Sequence, residues 1–160
     1  MNPRKVAAAD APMPLTFLPL ALRGGYGMQY VLLTYNAPES YEIWAAMTES
    51  ERRAEEDQYV RLVEAMHESK AYIAANELEP STSVHTVRVR NGMRSVTDGP
   101  VVQSDESLTG YFLIEVESVE TAIEWAAKIP NARNGSVEVR RVDEGELAER
   151  MAAAAADAPK

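Results

Sequence analysis

The chain has 160 residues, of which 46% are hydrophobic, so it can bury one sizeable core but is short for two. Its formal charge of -9 argues against nucleic acid as a partner, because binding a phosphate backbone depends on a broad positive surface. Since the chain has no cysteine, disulfides and cysteine-ligated metal sites are excluded, and a cytoplasmic location is expected.

The first 27 residues mix Ala, Pro and Gly without a helical or strand period, which predicts a flexible leader over residues 1–27. The longest apolar run there, Leu15 to Leu22, is interrupted by Pro19 and is far shorter than the roughly 20 residues that span a bilayer. No membrane segment is therefore predicted. At Met28 the run MQYVLLTY has the length and content of a central strand, and the folded domain is predicted to begin there.

A long helix is predicted next. Thr48 and Glu51 form a capping box, in which each side chain can bond the backbone amide of the other residue. Apolar residues then recur near one face at helical spacing, and they are Tyr59, Leu62, Val63, Met66 and Ile73. This face is expected to pack on a sheet.

The second half of the domain alternates in the manner of strands. VHTVRVR, the turn dipeptide Asn91-Gly92 and MRSVT predict a β-hairpin. GYFLIEV predicts a strand, SVETAIEWAAKI a helix that begins after Ser118 and stops before Pro130, and SVEVRRV a last strand. This order predicts an α+β fold over residues 28–142, a ferredoxin-like split βαβ sheet with two helices on one face. Residues 143–160 are alanine-rich and predict a helix or a tail.

Because both helices cover one face of such a sheet, alternate side chains of each strand must lie on the other, open face. The predicted members of the open face are Tyr111, Leu113, Glu115, Glu138 and Arg140, joined by Thr86 and Arg88. A two-fold partner could cover the apolar members and enclose the polar ones in a shared cavity, which predicts a homodimer. The alternative is that the charged residues are ordinary cross-strand pairs on a solvated sheet.

The stretches SVTDGPVVQSDESLTGYFLIEV and IEWAAKIPNARNGSVEVRRV resemble the YCII-related proteins of the DGPF subgroup. The resemblance runs from Met28 to Val142 and leaves only the two tails outside. It implies a ferredoxin-like fold that pairs into a dimeric α+β barrel, in a subgroup whose biochemical role is mostly uncharacterised.

The motif loop contains Thr97, Asp98, Gly99 and Pro100, followed by Val101 where the family usually has phenylalanine. Asp98 can fix a turn by accepting backbone hydrogen bonds. Alternatively, it enters the dimer cavity as a hydrogen-bond acceptor or a catalytic base, with Arg133 or Arg140 binding an anionic ligand through the guanidinium group.

Some relatives use a histidine from the first helix with an aspartate as an acid/base pair, but that role cannot be transferred to His67 or His85 by position. Both are interpreted as surface or packing residues. Two histidines without clustered carboxylates predict no metal site, and the chain has no glycine-rich phosphate loop, so no cofactor is predicted.

Three functions remain open from the sequence. The first is a homodimer that binds a small molecule, with an anionic one as an option, at a site near Asp98, Tyr111, Arg133, Glu138 and Arg140. The second is a cofactor-free isomerase or lyase acting on a small organic acid, with Asp98 as the base. The third is a regulatory partner of an extracytoplasmic-function sigma factor, contacted through the acidic helix face or the alanine-rich tail.

Overall fold

The computed structural model describes residues 27–79 and 81–156, so the predicted leader lies outside the described residues except for Gly27. Contacts group residues Gly27–Val142 into one unit, and the helix near the C-terminus belongs to another. In chain order the elements are β1 Met28–Asn36, α1 Pro38–Ala46, α2 Glu49–Glu68, β2 Tyr72–Glu77, β3 His85–Arg90, β4 Met93–Asp98, β5 Ser107–Val116, α3 Val119–Ala126, α4 Asn131–Asn134, β6 Gly135–Arg141 and α5 Glu146–Ala156.

Four strands form an antiparallel sheet in the order β2-β5-β1-β6. The core lies on the face that α2 and α3 cover. Leu32 and Ile114 are fully buried on the sheet side, against Met66 of α2 and Ala122 of α3. The predicted α+β fold, with its ferredoxin-like strand order and both helices on one face, is confirmed.

The helix caps form as the sequence predicts. At the start of α2, the backbone N–H of Thr48 donates to Glu51 Oε2 at 2.8 Å, and the N–H of Glu51 donates to Thr48 Oγ1 at 3.3 Å. At the start of α3, the N–H of Thr121 donates to Ser118 Oγ at 3.2 Å. Both helices therefore begin where a side chain satisfies a free backbone donor.

Several elements differ from the sequence prediction. The long helix ends at Glu68, and Ile73 lies in β2, so its assignment to the helix is wrong. Lys70 adopts a positive φ of 62° and turns the chain, although neither Gly nor Pro marks this position. Ile73 lies seven residues after Met66, which fits a helical period equally well, and so the pattern alone misplaced it. Helix α1 was not predicted.

The hairpin prediction is confirmed, with Asn91 and Gly92 at φ 51° and 75° in the turn. However, β3 and β4 form a separate two-stranded sheet. The prediction that Thr86 and Arg88 join the open face of the main sheet is therefore wrong.

The alanine-rich segment forms α5, Glu146–Ala156, which has no buried residue. Within residues 27–79 and 81–156, no helix combines the length and apolar character needed to cross a bilayer.

Candidate functional site

The open face of the four-stranded sheet carries two rows of side chains set by strand register. Leu33 lies opposite both Tyr111 and Glu138, and Val31 lies opposite both Leu113 and Arg140. Directly opposite residues share a face. Tyr111, Glu138 and Arg140 thus lie where the sequence predicted them, on the face away from α2 and α3.

Polar contacts on this face centre on Glu138. Its carboxylate accepts a hydrogen bond from Tyr35 Oη at 3.2 Å and one from Arg140 Nε at 2.5 Å. The bond from Arg140 is the main cause that holds the pKa of Glu138 below its usual value, while burial is the main cause that raises the pKa of Tyr35. The guanidinium of Arg140 is therefore already neutralised by a carboxylate.

Arg133 lies apart from that group. It belongs to α4, and its Nη2 donates to Glu55 Oε1 at 3.2 Å and to Gln58 Oε1 at 2.6 Å, both on α2. Since α2 covers the opposite face of the sheet, the structure does not bring Arg133 together with Arg140.

The motif loop lies at the base of the hairpin. The His85 ring atom Nδ1 is 2.9 Å from Asp98 Oδ1, and the Asp98 side chain is 93% exposed. Thr86 Oγ1 donates to the carbonyl of Gly99 at 2.7 Å, and Gly99 adopts a φ of 94°, a conformation that glycine reaches without strain. Thr97 pairs with Thr86 across the hairpin. These contacts fit a turn, and a catalytic role for Asp98 stays a prediction.

His67 packs its ring against Tyr72, with ring centroids 4.2 Å apart. This contact fits the packing role that the sequence indicated. Among the described residues, no group of three or more His, Asp or Glu side chains is arranged to hold a metal ion.

A cleft of about 600 Å³ opens on the helix-covered side, where the ends of β1 and β5 meet α1 and α2. Pockets for small molecules fall roughly in the range of 300–1,000 Å³. On one side the cleft is lined by Tyr41, Ile43 and Trp44 of α1, which are 39–47% exposed and which we call the α1 wall. Helix α2 adds Tyr59 to the lining. The cleft thus has a partly aromatic wall open to solvent.

A hydrogen-bonded polar network lies along the floor of the cleft. Asn131 is only 8% exposed. Its Oδ1 accepts from Tyr59 Oη at 2.9 Å, and its Nδ2 donates to Asn36 Oδ1 at 2.7 Å. Thr109 Oγ1 lies 3.5 Å from the same Nδ2. Because its partners come from three other elements, Asn131 fixes the floor and leaves polar groups beside an apolar wall.

The charge along the cleft has one sign. Glu55, Glu56 and Glu77 line it, and none of its described lining residues is Lys or Arg. Burial raises the pKa of Tyr59 to about 12, and the negative charges of Glu55 and Glu77 add to the effect. The field in the cleft therefore disfavours an additional negative charge.

Sequence reasoning missed this cleft, although Tyr111, one of the predicted site residues, is among the residues that line it. Its members come from distant parts of the chain, and α1, which supplies the aromatic wall, was not predicted. The available signal was the run PESYEIW, in which Pro38 is well suited to the start of a helix and Tyr41 and Trp44 are three residues apart.

Comparisons with known proteins give one matching family and one similar protein. Residues 28–145 match the YCII-related domain. An uncharacterized protein, R00369 of Rhizobium meliloti (strain 1021), is 30% identical over 121 residues, covering 71% of this chain and 90% of that protein.

Proposed function

The chain belongs to the YCII-related family, and from this premise and the geometry of the cleft we propose that it binds a small molecule between α1, α2 and the end of the sheet. The observation that carries the proposal is the Asn131 network beneath an exposed aromatic wall. Such a combination of fixed polar groups and apolar surface is typical of ligand sites.

The charges favour a neutral or cationic ligand. Three carboxylates line the cleft. Glu55 forms an ion pair with Arg133, but Glu56 and Glu77 would still repel a carboxylate or phosphate. One positive group lies near the same wall, because the Arg52 guanidinium carbon is 5.7 Å from the centroid of the Trp44 ring. An anionic ligand, as the sequence suggested, would depend on Arg133 and Arg140, and each of these already contacts a carboxylate.

Three probes that share a phenyl ring and differ in charge can test the proposal. They are phenethylamine, 2-phenylethanol and 3-phenylpropionate. A ligand that binds only the folded state raises the Tm. We expect the amine to raise it most, the alcohol less and the carboxylate least. If the carboxylate raises the Tm most, or if none of the three does so at millimolar concentration, the proposal is wrong.

Glu77→Gln should reduce the difference between the Tm increases caused by the amine and by the alcohol, because Glu77 lines the cleft and is exposed. Glu64→Gln is the matched control, since Glu64 is also exposed but lies outside the lining of the cleft. Equal responses of the two variants would contradict the assignment of the amine to this site.

We further propose that the chain forms a homodimer through the open face of the sheet. Val31, Leu33 and Leu113 lie together there, and neither α2 nor α3 covers them. Pairing two such faces would bury these side chains and place Tyr111 beside the Glu138–Arg140 pair in a shared space. Sedimentation velocity at micromolar concentration tests this proposal, and a monomer at that concentration would contradict it.

A further inference from the structure

The hairpin of β3 and β4 leaves an apolar face without a cover. Direct cross-strand pairing places Val87 opposite Val96, and Val89 opposite Arg94. The three valines on this face, which we call the valine face, are 54–58% exposed. A two-stranded hairpin is at best marginally stable alone in water, so an apolar face of this kind calls for a partner surface.

Charge distinguishes the hairpin from the rest of the chain. Residues 85–98 contain three arginines and one aspartate, whereas the whole chain carries a formal charge of -9. Helices α1 and α2 together carry nine carboxylates and three arginines, a formal balance of -6. The hairpin as a whole is basic and the helix layer is acidic, so the two attract each other at a distance. Only Arg94 shares a face with the valines, since Arg88 and Arg90 lie on the opposite face of the hairpin.

The helix layer also offers apolar surface. Tyr41, Ile43 and Trp44 are exposed along the cleft, and carboxylates lie beside them. No residue of β3 or β4 lines the cleft, so the hairpin does not cover the cleft of its own chain. The α1 wall and the valine face are thus both exposed apolar surfaces. Within a single chain, the hairpin does not cover the wall.

We propose that the hairpin of one copy docks with its valine face on the α1 wall of a second copy, and that Arg94, which shares this face, lies near the carboxylates of that copy. Each strand of the hairpin is about 20 Å long, long enough to lie across a cleft of this size. Docking would close the cleft with residues of the partner. This contact is separate from pairing of the open sheet faces and does not require a ligand.

Because the chain has no cysteine, engineered cysteines can report this contact directly. Val96→Cys places a thiol on the valine face, and Ile43→Cys places one on α1. The two variants are prepared separately with tags of different size, mixed, and treated with a short bismaleimide. We expect a covalent heterodimer.

Two matched controls define specificity. Ile123→Cys replaces an exposed isoleucine of α3 outside the cleft lining, and Ser95→Cys lies on the opposite face of the hairpin. We expect the Val96–Ile43 pair to give about tenfold more heterodimer than either control pair, because docking raises the local concentration of the thiols. The yield should fall in about 1 M salt, since charge attraction is then screened.

Two results would overturn the proposal. Equal yields in the docked and control pairs would show random collision. An intramolecular crosslink, formed at high dilution in a single chain that carries both Val96→Cys and Ile43→Cys, would show that the hairpin reaches its own α1.

Discussion

The two faces of the four-stranded sheet differ although the same strands build them. On β1, Leu32 is fully buried beneath the helices, whereas its neighbour Leu33 lies on the open face among Tyr111 and Glu138. The covered face holds the core and, at one end, the cleft. The open face instead combines apolar residues with paired charges. One strand can therefore supply stability on one face and a surface for association on the other.

Replacing these two leucines should give the largest contrast. Leu32→Ala should lower the free energy of unfolding by about 2–5 kcal/mol, because it leaves a cavity in the core. Leu33→Ala should lower the free energy of unfolding by less than Leu32→Ala does. It should also weaken self-association if the open faces pair. Urea unfolding and sedimentation velocity measure the two effects. Equal losses of stability with unchanged association would contradict the assignment of the faces.

Tyrosine hydroxyls allow a similar comparison. Tyr59→Phe should lower the free energy of unfolding by about 1–3 kcal/mol, because the buried Asn131 Oδ1 would lose its hydrogen-bond donor. Tyr35→Phe should cost about 0.5 kcal/mol or less, since Glu138 keeps its bond from Arg140. If the two variants unfold at the same urea concentration, the network on the cleft floor is not a structural support.

The raised pKa of Tyr59 should also be visible in an alkaline titration. The raised pKa, about 12, means that its contribution to stability is complete below the ordinary tyrosine pKa and declines as pH rises toward 12. An absorbance titration should show one fewer tyrosine ionising near pH 12 in Tyr59→Phe than in the natural sequence. An unchanged titration above pH 11 would contradict the burial of this hydroxyl.

The next comparison concerns the capping box at the start of α2, one of the helices that cover the sheet. Thr48→Ala removes the capping box of α2 and should cost about 1 kcal/mol in urea unfolding. Arg53→Ala is a suitable control, because Arg53 is an exposed residue of the same helix and lies outside the capping box. Equal stability of the two variants would show that the cap adds nothing.

The smallest effect is expected from Glu138 on the open face. Its lowered pKa means that its contribution is present above the ordinary glutamate pKa and is lost as pH falls through the lowered value. Glu138→Gln should therefore make stability slightly less dependent on pH in acid, as measured by urea midpoints at a series of pH values. An unchanged acid slope would contradict the role of the Arg140 bond.

The parts of the fold that depend on neighbouring residues could be predicted from the sequence. The Asn91-Gly92 turn and the Thr48 and Ser118 caps involve residues close together in the chain, and all three form. The alternation in β5 likewise predicted Tyr111 and Leu113 on the open face, and Phe112 and Ile114, which alternate with them, are buried on the other face.

Features that depend on distant residues could not be predicted in this way. The hairpin pairs within itself, and no local pattern distinguishes that from joining the main sheet. Arg133 and Arg140 are seven residues apart, yet they contact different elements because α4 ends between them. The cleft floor joins Asn36, Tyr59 and Asn131, whose juxtaposition follows only from the folded topology.

The most direct test of ligand binding in the cleft uses the two tryptophans of the chain. Trp44 lies on the α1 wall, whereas Trp125 lies on α3, outside the cleft lining. In a nitrogen-15 NMR titration with phenethylamine, we expect the indole N–H signal of Trp44 to shift and saturate, while that of Trp125 stays in place. Saturable binding that moves Trp125 or the backbone signals of β6, and leaves Trp44 unchanged, would contradict this expectation.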